Sequence, residues 1–200
     1  MPRLVLGSAS PRRAALLREI GVDFTVCASA VAEVMAAGES AADFARRIAR
    51  EKGAAVARRC GAAWVLSADT VVVVDGAVLG KPADASTARH MLRRLSGRTH
   101  DVLTAVSLIA PGGAPAVGVL VRSTVEFRPL TAAQIDAYVA SGEPFDKAGA
   151  YAIQGGAGAF VRRVIGSQTN VVGLPLDEVR ALLECRGLLA PAPAAIDSGP

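Results

Sequence analysis

Three stretches of this 200-residue chain hold residues whose types and spacing suit the binding of phosphates. In LGSASPRRAALL, residues 6 to 17, two serines and two arginines surround the start of a predicted helix. Ser10 suits the N-cap, and Pro11 suits the first helical position, where a missing N–H is harmless. Arg12 and Arg13 then lie at the positive end of the helix dipole, where a cation costs roughly 0.3–1 kcal/mol. Two readings stand here. Both side chains splay into solvent as exposed first-turn residues, or an anion sits at the helix start. An anion reverses the penalty, because backbone N–H groups, the hydroxyls of Ser8 and Ser10, and two guanidinium forks all donate to it. The flanking hydroxyls favour the anion, most simply a phosphate.

The second stretch, VLSADTVVVV, sets Asp69 between two apolar runs. An ionised carboxylate there is expensive unless it is paired, binds a metal or faces a cleft. The alternative is a turn aspartate in a break between two strands. Thr70 adds a hydroxyl. Just beyond, GAVLGKP (76–82) imitates a P-loop, but its second glycine comes one residue early and Pro82 stands where Ser or Thr is required. A Walker motif is excluded, although Lys81 can still serve a phosphate as a point charge, or simply be a solvated hairpin lysine. The third stretch, EPFDKAGAYAIQGGAGAF, fails the glycine spacing of a dinucleotide site. Its glycines allow close approach to a flat ligand, and Gln154 suits paired hydrogen bonds to the amide-like edge of a pyrimidine. Tyr151 either stacks or packs, and a flexible surface loop is the competing reading.

Neither a Ser-His-Asp set nor a soft-metal cluster is present in the sequence. Hydroxyls and cations for phosphates, a carboxylate for a divalent cation or a water, and an amide for a base fit a nucleotide with Mg²⁺ or Mn²⁺ best. The formal charge is +4, and lysine supplies only Lys52, Lys81 and Lys147 among 22 basic residues. Where so arginine-rich a chain keeps lysine, a compact ammonium that guanidinium cannot replace is expected. The arginines are scattered and paired with acids, as in ARRIAREK, which reads as solvated helix faces and argues against a nucleic-acid partner. Cys27, Cys60 and Cys185 are odd in number and far apart, which indicates reduced thiols packed as small hydrophobes in a cytoplasmic protein. His90 and His100 read as surface or hairpin residues, so no Cys–His pair is expected. No apolar run reaches the length of a membrane span, and no signal-peptide layout opens the chain.

Positioning these residues falls to alternating strands and helices. Strands are expected at 4–6, 24–28, 64–74 around the SADT break, 101–109 and 116–127, with another near Phe160. Helices are expected after Ser10, from Ser40 to about Arg59, after Asp84, after Thr131 and from Pro175. Asp75-Gly76 marks a hairpin turn. The outcome is an α/β fold with a mixed sheet, in one domain over 1–187 followed by a disordered Ala/Pro-rich tail over 188–200.

Together, LVLGSASPRRAALLREIG, SADTVVVVDGAVLGKP, MLRRLSGRTHDVLTAV, DKAGAYAIQG and GSQTNVVGLPL make the chain resemble the Maf family of nucleoside triphosphate pyrophosphatases, in its dTTP/UTP branch. The resemblance implies hydrolysis of dTTP and UTP to the monophosphate and pyrophosphate. It also implies a two-lobed, elongated α/β fold like that of the inosine triphosphate pyrophosphatases, with a central cleft, and a homodimer. Asp69 corresponds to the proton acceptor, with Lys52 and Lys81 beside it in catalysis. Arg12, Thr70 and Gln154 correspond to positions of substrate choice, while Ser8, Ser10 and Arg13 bind substrate and Glu33 joins Asp69 at a divalent cation. Gln168 stands where the family's GSY pattern has tyrosine. Two alternatives remain: the same reaction on another base such as 7-methyl-GTP, and a nucleotide-responsive regulator of cell division or septum formation.

Overall fold

A computed structural model describes residues 3–114 and 117–191. Strand β1 (Leu4–Leu6) lies between β2 (Phe24–Val26) and β3 (Trp64–Val74), parallel to both. β3 turns through Asp75 and Gly76, both at positive φ, into the short antiparallel β4 (Ala77–Leu79). β5 (Thr99–Ile109), β6 (Val117–Phe127) and β7 (Val161–Ile165) complete a mixed seven-stranded sheet, each antiparallel to its neighbour. The helices are α1 (Pro11–Glu19), α2 (Ala41–Ala57), α3 (Ala85–Leu95), α4 (Ala132–Ala140), α5 (Gln168–Val172) and α6 (Leu176–Glu184). Ser10, Ser40, Asp84 and Thr131 cap the first four through their side-chain oxygens, as their residue types require.

β3 organises everything near the cleft. Its even-numbered residues alternate onto one face, where Leu66 and Ala68 pack with Leu17 of α1 and Leu183 of α6. Further along the same face, Val72 and Val74 pack with Leu92 of α3 and Ile135 of α4. Thr70 falls in the gap between these two cores. On the opposite face Val71 packs with Phe44 and Ile48 of α2, and Asp69 shares that side. The outer edge of β3 is interrupted as well. β1 pairs with its residues 64–66 and β4 with its residues 72–74, so residues 67–71 have no strand partner there. The expected break at SADT is therefore not a break in the backbone. β3 runs straight through, paired to β5 at Asp69–Ala105 and Thr70–Thr104. What is interrupted is the apolar pattern and the neighbouring strand, and that makes room for a carboxylate.

Three further expectations change. α5 was not foreseen, since five residues are too few to show a helical period. Leu188, assigned to the tail, is buried against Leu183 and its neighbours in the α1/α6 core, and only 192–200 of that tail lies outside the described residues. His100 is no surface residue: it is 3% exposed, edge-on to Phe127 and Tyr151. Its Nε2 shares a 2.8 Å hydrogen bond with the Tyr151 hydroxyl, and burial lowers its pKa to about 4.

That shift has a definite sign. The folded protein keeps His100 neutral where an unfolded chain with a pKa of 6.5 takes up a proton. The contribution to stability is complete above pH 6.5 and is lost as pH falls toward about 4, to a total of about 3 kcal/mol. Urea unfolding across this window is expected to show a steeper acid loss for the parent than for His100→Gln. Parallel curves would assign the loss to other groups.

Candidate active site

A cleft of about 420 Å³ opens at the interrupted edge of β3. That volume is within the range of small-molecule sites. At its centre the Lys52 ammonium lies 2.6 Å from Glu33 Oε1 and 2.6 Å from Asp69 Oδ1. Lys52 comes from α2, Asp69 from mid-β3 and Glu33 from the loop between β2 and α2. Lys81, just past β4, approaches Glu33 Oε2 at 3.5 Å and is otherwise solvated. The two carboxylates are pushed apart. Burial raises the Asp69 carboxyl above its usual range despite the pull of Lys52. At Glu33 burial acts in the same direction, but Lys52 and Lys81 together outweigh it and hold the carboxyl below its ordinary value. A pair separated in this way divides into a better proton acceptor and a permanent anion.

The turn before α1 forms the adjacent wall. Ser10 accepts the Arg13 backbone N–H at 3.4 Å, and Ser8 Oγ accepts the Ser10 N–H at 3.2 Å. Arg13 does not splay into solvent, contrary to the exposed first-turn expectation. Its Nε donates to the Gly173 carbonyl at 2.7 Å, Nη1 to Ser8 Oγ at 3.2 Å and Nη2 to Thr70 Oγ1 at 2.9 Å. Burial pulls its pKa down, opposed by the charges of Asp69 and Glu33, and a guanidinium remains charged regardless. Two of its five N–H groups are left for a ligand. Thr104 Oγ1 donates to the Asn170 carbonyl at 3.0 Å, so in the 2.9 Å contact between the two threonines Thr70 must donate to Thr104. With its proton committed, Thr70 holds Arg13 in place and keeps no free donor of its own. Arg12 reaches across the rim to Asp146, 3.8 Å away.

The opposite wall is built from tight turns over residues 143–160. Gly149 sits at a φ of 70°, and a Cβ there would meet Val72 at 3.0 Å, so glycine is required. Ala150 follows at a φ of 60°. Tyr151 packs, buried against His100, and the Ala152 N–H donates to the Tyr138 hydroxyl at 3.0 Å. Lys147 and exposed Gln154 both line the cleft.

Ser8, Ser10, Arg12, Arg13, Glu33, Lys52, Asp69, Thr70, Lys81 and Gln154 thus all meet in one cavity. Gln168 does not; it is an exposed residue at the start of α5. Lys147, Asp146 and Gly173 belong to the cleft without having been singled out as site residues. Lys147 was visible as a retained lysine, whereas Gly173 contributes only a carbonyl and leaves no signal in the sequence. Among the described residues no group of three or more His, Cys, Asp or Glu forms a metal cage, and no helix is long and apolar enough to cross a membrane.

This architecture is that of a known class of α/β proteins. The Ham1 protein of Staphylococcus aureus superposes with a TM-score of 0.54 at 16% identity, covering 92% of this chain and 99% of that one. A Ham1 protein from Coxiella burnetii gives 0.50 at 14% identity, covering 92% and 98%. Identity so low speaks for the fold alone. The chain itself belongs to the Maf family: residues 3–186 match the family described as Maf-like protein. A relative from Myxococcus xanthus is 53% identical over 188 residues, 94% of each chain, and is named dTTP/UTP pyrophosphatase. One from Geobacter sulfurreducens carries the same name at 51% identity, over 88% of this chain and 93% of its own.

Because Arg13 ties α1, β3 and Gly173 together, its removal has a structural consequence. Arg13→Ala is expected to lower the melting temperature by about 4–8 °C, corresponding to about 2 kcal/mol for the charged hydrogen bonds lost. An unchanged melting temperature would return Arg13 to the role of an exposed first-turn residue.

Proposed function

We propose that the protein hydrolyses dTTP and UTP between the α- and β-phosphates, releasing the nucleoside monophosphate and pyrophosphate. The observation that carries this reading is the buried Asp69 carboxylate, paired to Lys52, in a cleft lined by five cations: Arg12, Arg13, Lys52, Lys81 and Lys147. The names of the relatives point to the pyrimidine nucleotides, with nothing favouring 7-methyl-GTP or a division regulator.

Water attacking the α-phosphorus must lose a proton as its oxygen bonds to phosphorus and the bridging oxygen leaves with pyrophosphate. Asp69 accepts that proton. Lys52 fixes the carboxylate through Oδ1, leaving Oδ2 for the water. Arg13, held by three protein acceptors, offers its two remaining N–H groups to the phosphates without having to be ordered at the moment of reaction. The Ser8 oxygen already accepts twice, so its own proton is available as a donor. Lys81 and Arg12 neutralise the outer phosphates, and Gln154 faces the base edge.

The five cations stand against Glu33, Asp69 and Asp146, leaving the wall with two positive charges. This excess matches a triphosphate that arrives with a divalent cation better than a bare one. The hard oxygens of Asp69 and Glu33 suit Mg²⁺ or Mn²⁺ shared with substrate phosphates, which needs only one or two protein carboxylates. When bound, such an ion supplies charge neutralisation at the phosphates and acidifies water.

Asp69→Asn keeps the shape and the hydrogen bond to Lys52 but cannot take a proton. Its kcat for dTTP is expected to fall about 10²–10⁴-fold, with nucleotide binding and the melting curve retained. A folded variant keeping more than about a tenth of the activity would remove Asp69 from the chemistry. Gln154→Ala is expected to compress the kcat/KM advantage of dTTP and UTP over other nucleotides more than it slows the best substrate, because a hydrogen-bonding pocket discriminates by leaving polar groups unpaired. An unaltered substrate ranking would place base recognition elsewhere.

A further inference from the structure

Glu33 is carried into the cleft by residues 27–40, a segment with neither strand nor helix of its own. Backbone hydrogen bonds from Cys27 to Leu6 and from Glu39 to Ala36 hold its ends, and one guanidinium ties its second half, residues 34–39, to α2. Arg47, on α2, donates from Nε and Nη2 to the two carboxylate oxygens of Glu39, at 2.7 Å each. Nη2 also donates to the Val34 carbonyl at 2.9 Å, and Nη1 to Glu51 at 3.1 Å. Glu39 in turn accepts the Ala36 backbone N–H at 3.0 Å. Both ends of residues 34–39 are therefore tied to the helix that carries Lys52, beginning at the residue after Glu33. This is no ordinary surface pair, since the Glu39 side chain is only 11% exposed and the fork is bidentate. The Arg47 hydrogen bonds hold the Glu39 carboxyl down to about 2, so the pair stays charged at any working pH. Arg47 reads from sequence as part of a solvated helix face, yet its contacts run to the loop, and it does not line the cleft.

We propose that Arg47 is a positioning residue for the hydrolysis: by clamping residues 34–39 to α2 it sets Glu33 against Lys52 and Lys81. The inference rests on the proposed role of Glu33 in the cleft. Lysine cannot replace the fork, because a single ammonium cannot span both carboxylate oxygens and the Val34 carbonyl in one plane.

The test uses the full chain with Arg47→Gln, Arg47→Lys, Glu33→Gln and the double variant Glu33→Gln/Arg47→Gln. Each is measured for kcat and KM with dTTP, for melting temperature, and for amide hydrogen exchange over 31–39. Arg47→Gln is expected to lose about 10–100-fold in kcat, the scale of loss found when the hydrogen-bond partners that orient metal-ligating side chains are removed. Arg47→Lys should recover only part of the loss, and exchange over 31–39 should quicken in both. In the Glu33→Gln background, Arg47→Gln should add less than about a twofold loss, because the residue it positions is already gone. Losses that multiply in the double variant, or unchanged exchange over 31–39, overturn the clamp while leaving Glu33 in its role. A fully active Glu33→Gln overturns both, and the two failures are thereby told apart.

Discussion

The cleft depends on one ammonium withdrawn from water. Lys52, with its side chain 10% exposed, is shared by Glu33 and by an Asp69 side chain only 6% exposed. Taking any one of these charges out of solvent alone would be prohibitive, and removing Lys52 would leave both carboxylates without the cation they share. Together they join a loop, a helix and the central strand. The sharing is unequal in effect. Asp69, the more buried of the two carboxylates, retains affinity for a proton that the better solvated Glu33 gives up. Burial, more than residue type, separates an acceptor from a fixed negative charge.

On the other face of β3, a second and uncharged set of contacts performs a similar service for Arg13. Thr70, Thr104 and Asn170 pass a hydrogen-bond chain across β3 and β5 to α5, and the Asn170 amide ends it on the Val102 carbonyl and the Ser123 hydroxyl. Each hydroxyl proton in this chain has one destination, so the guanidinium meets an acceptor of fixed orientation. Neighbouring residues on one strand thus anchor an ion triad on one side and a neutral relay on the other, and the interrupted edge of β3 lets both reach the same cavity.

The sequence made the chemistry legible wherever a residue type was out of place. A carboxylate within an apolar run, three lysines in an arginine-rich chain and two arginines at the wrong end of a helix dipole all mark residues that meet in the cleft. The caps of α1 to α4 were legible because Ser, Asp and Thr have few better uses at those positions. What stayed hidden depends on partners distant in sequence. Asp69 interrupts hydrophobicity in the same way whether the backbone turns or continues, and only the pairing of β3 with β5 decides between them. His100 lies in a polar hairpin stretch, and its burial is imposed by Phe127 and Tyr151, which approach from other elements. Gly173 acts through its backbone, to which composition is blind.

The two walls of the cleft are built from different materials. Asp69, Lys52 and Arg13 are each tied to the sheet or to helices packed on it. The wall over residues 143–160 is short turns held at scattered points: Gly149 against Val72, the Tyr138 hydroxyl under Ala152, Tyr151 on His100. On the proposed reading, the first wall supplies Asp69, Lys52 and most of the cations that meet the phosphates, while the second adds Lys147 and brings Gln154 to the base. On that reading, the choice of base hangs on turns that can be reshaped locally, whereas Asp69, paired to Lys52, is built into the sheet itself.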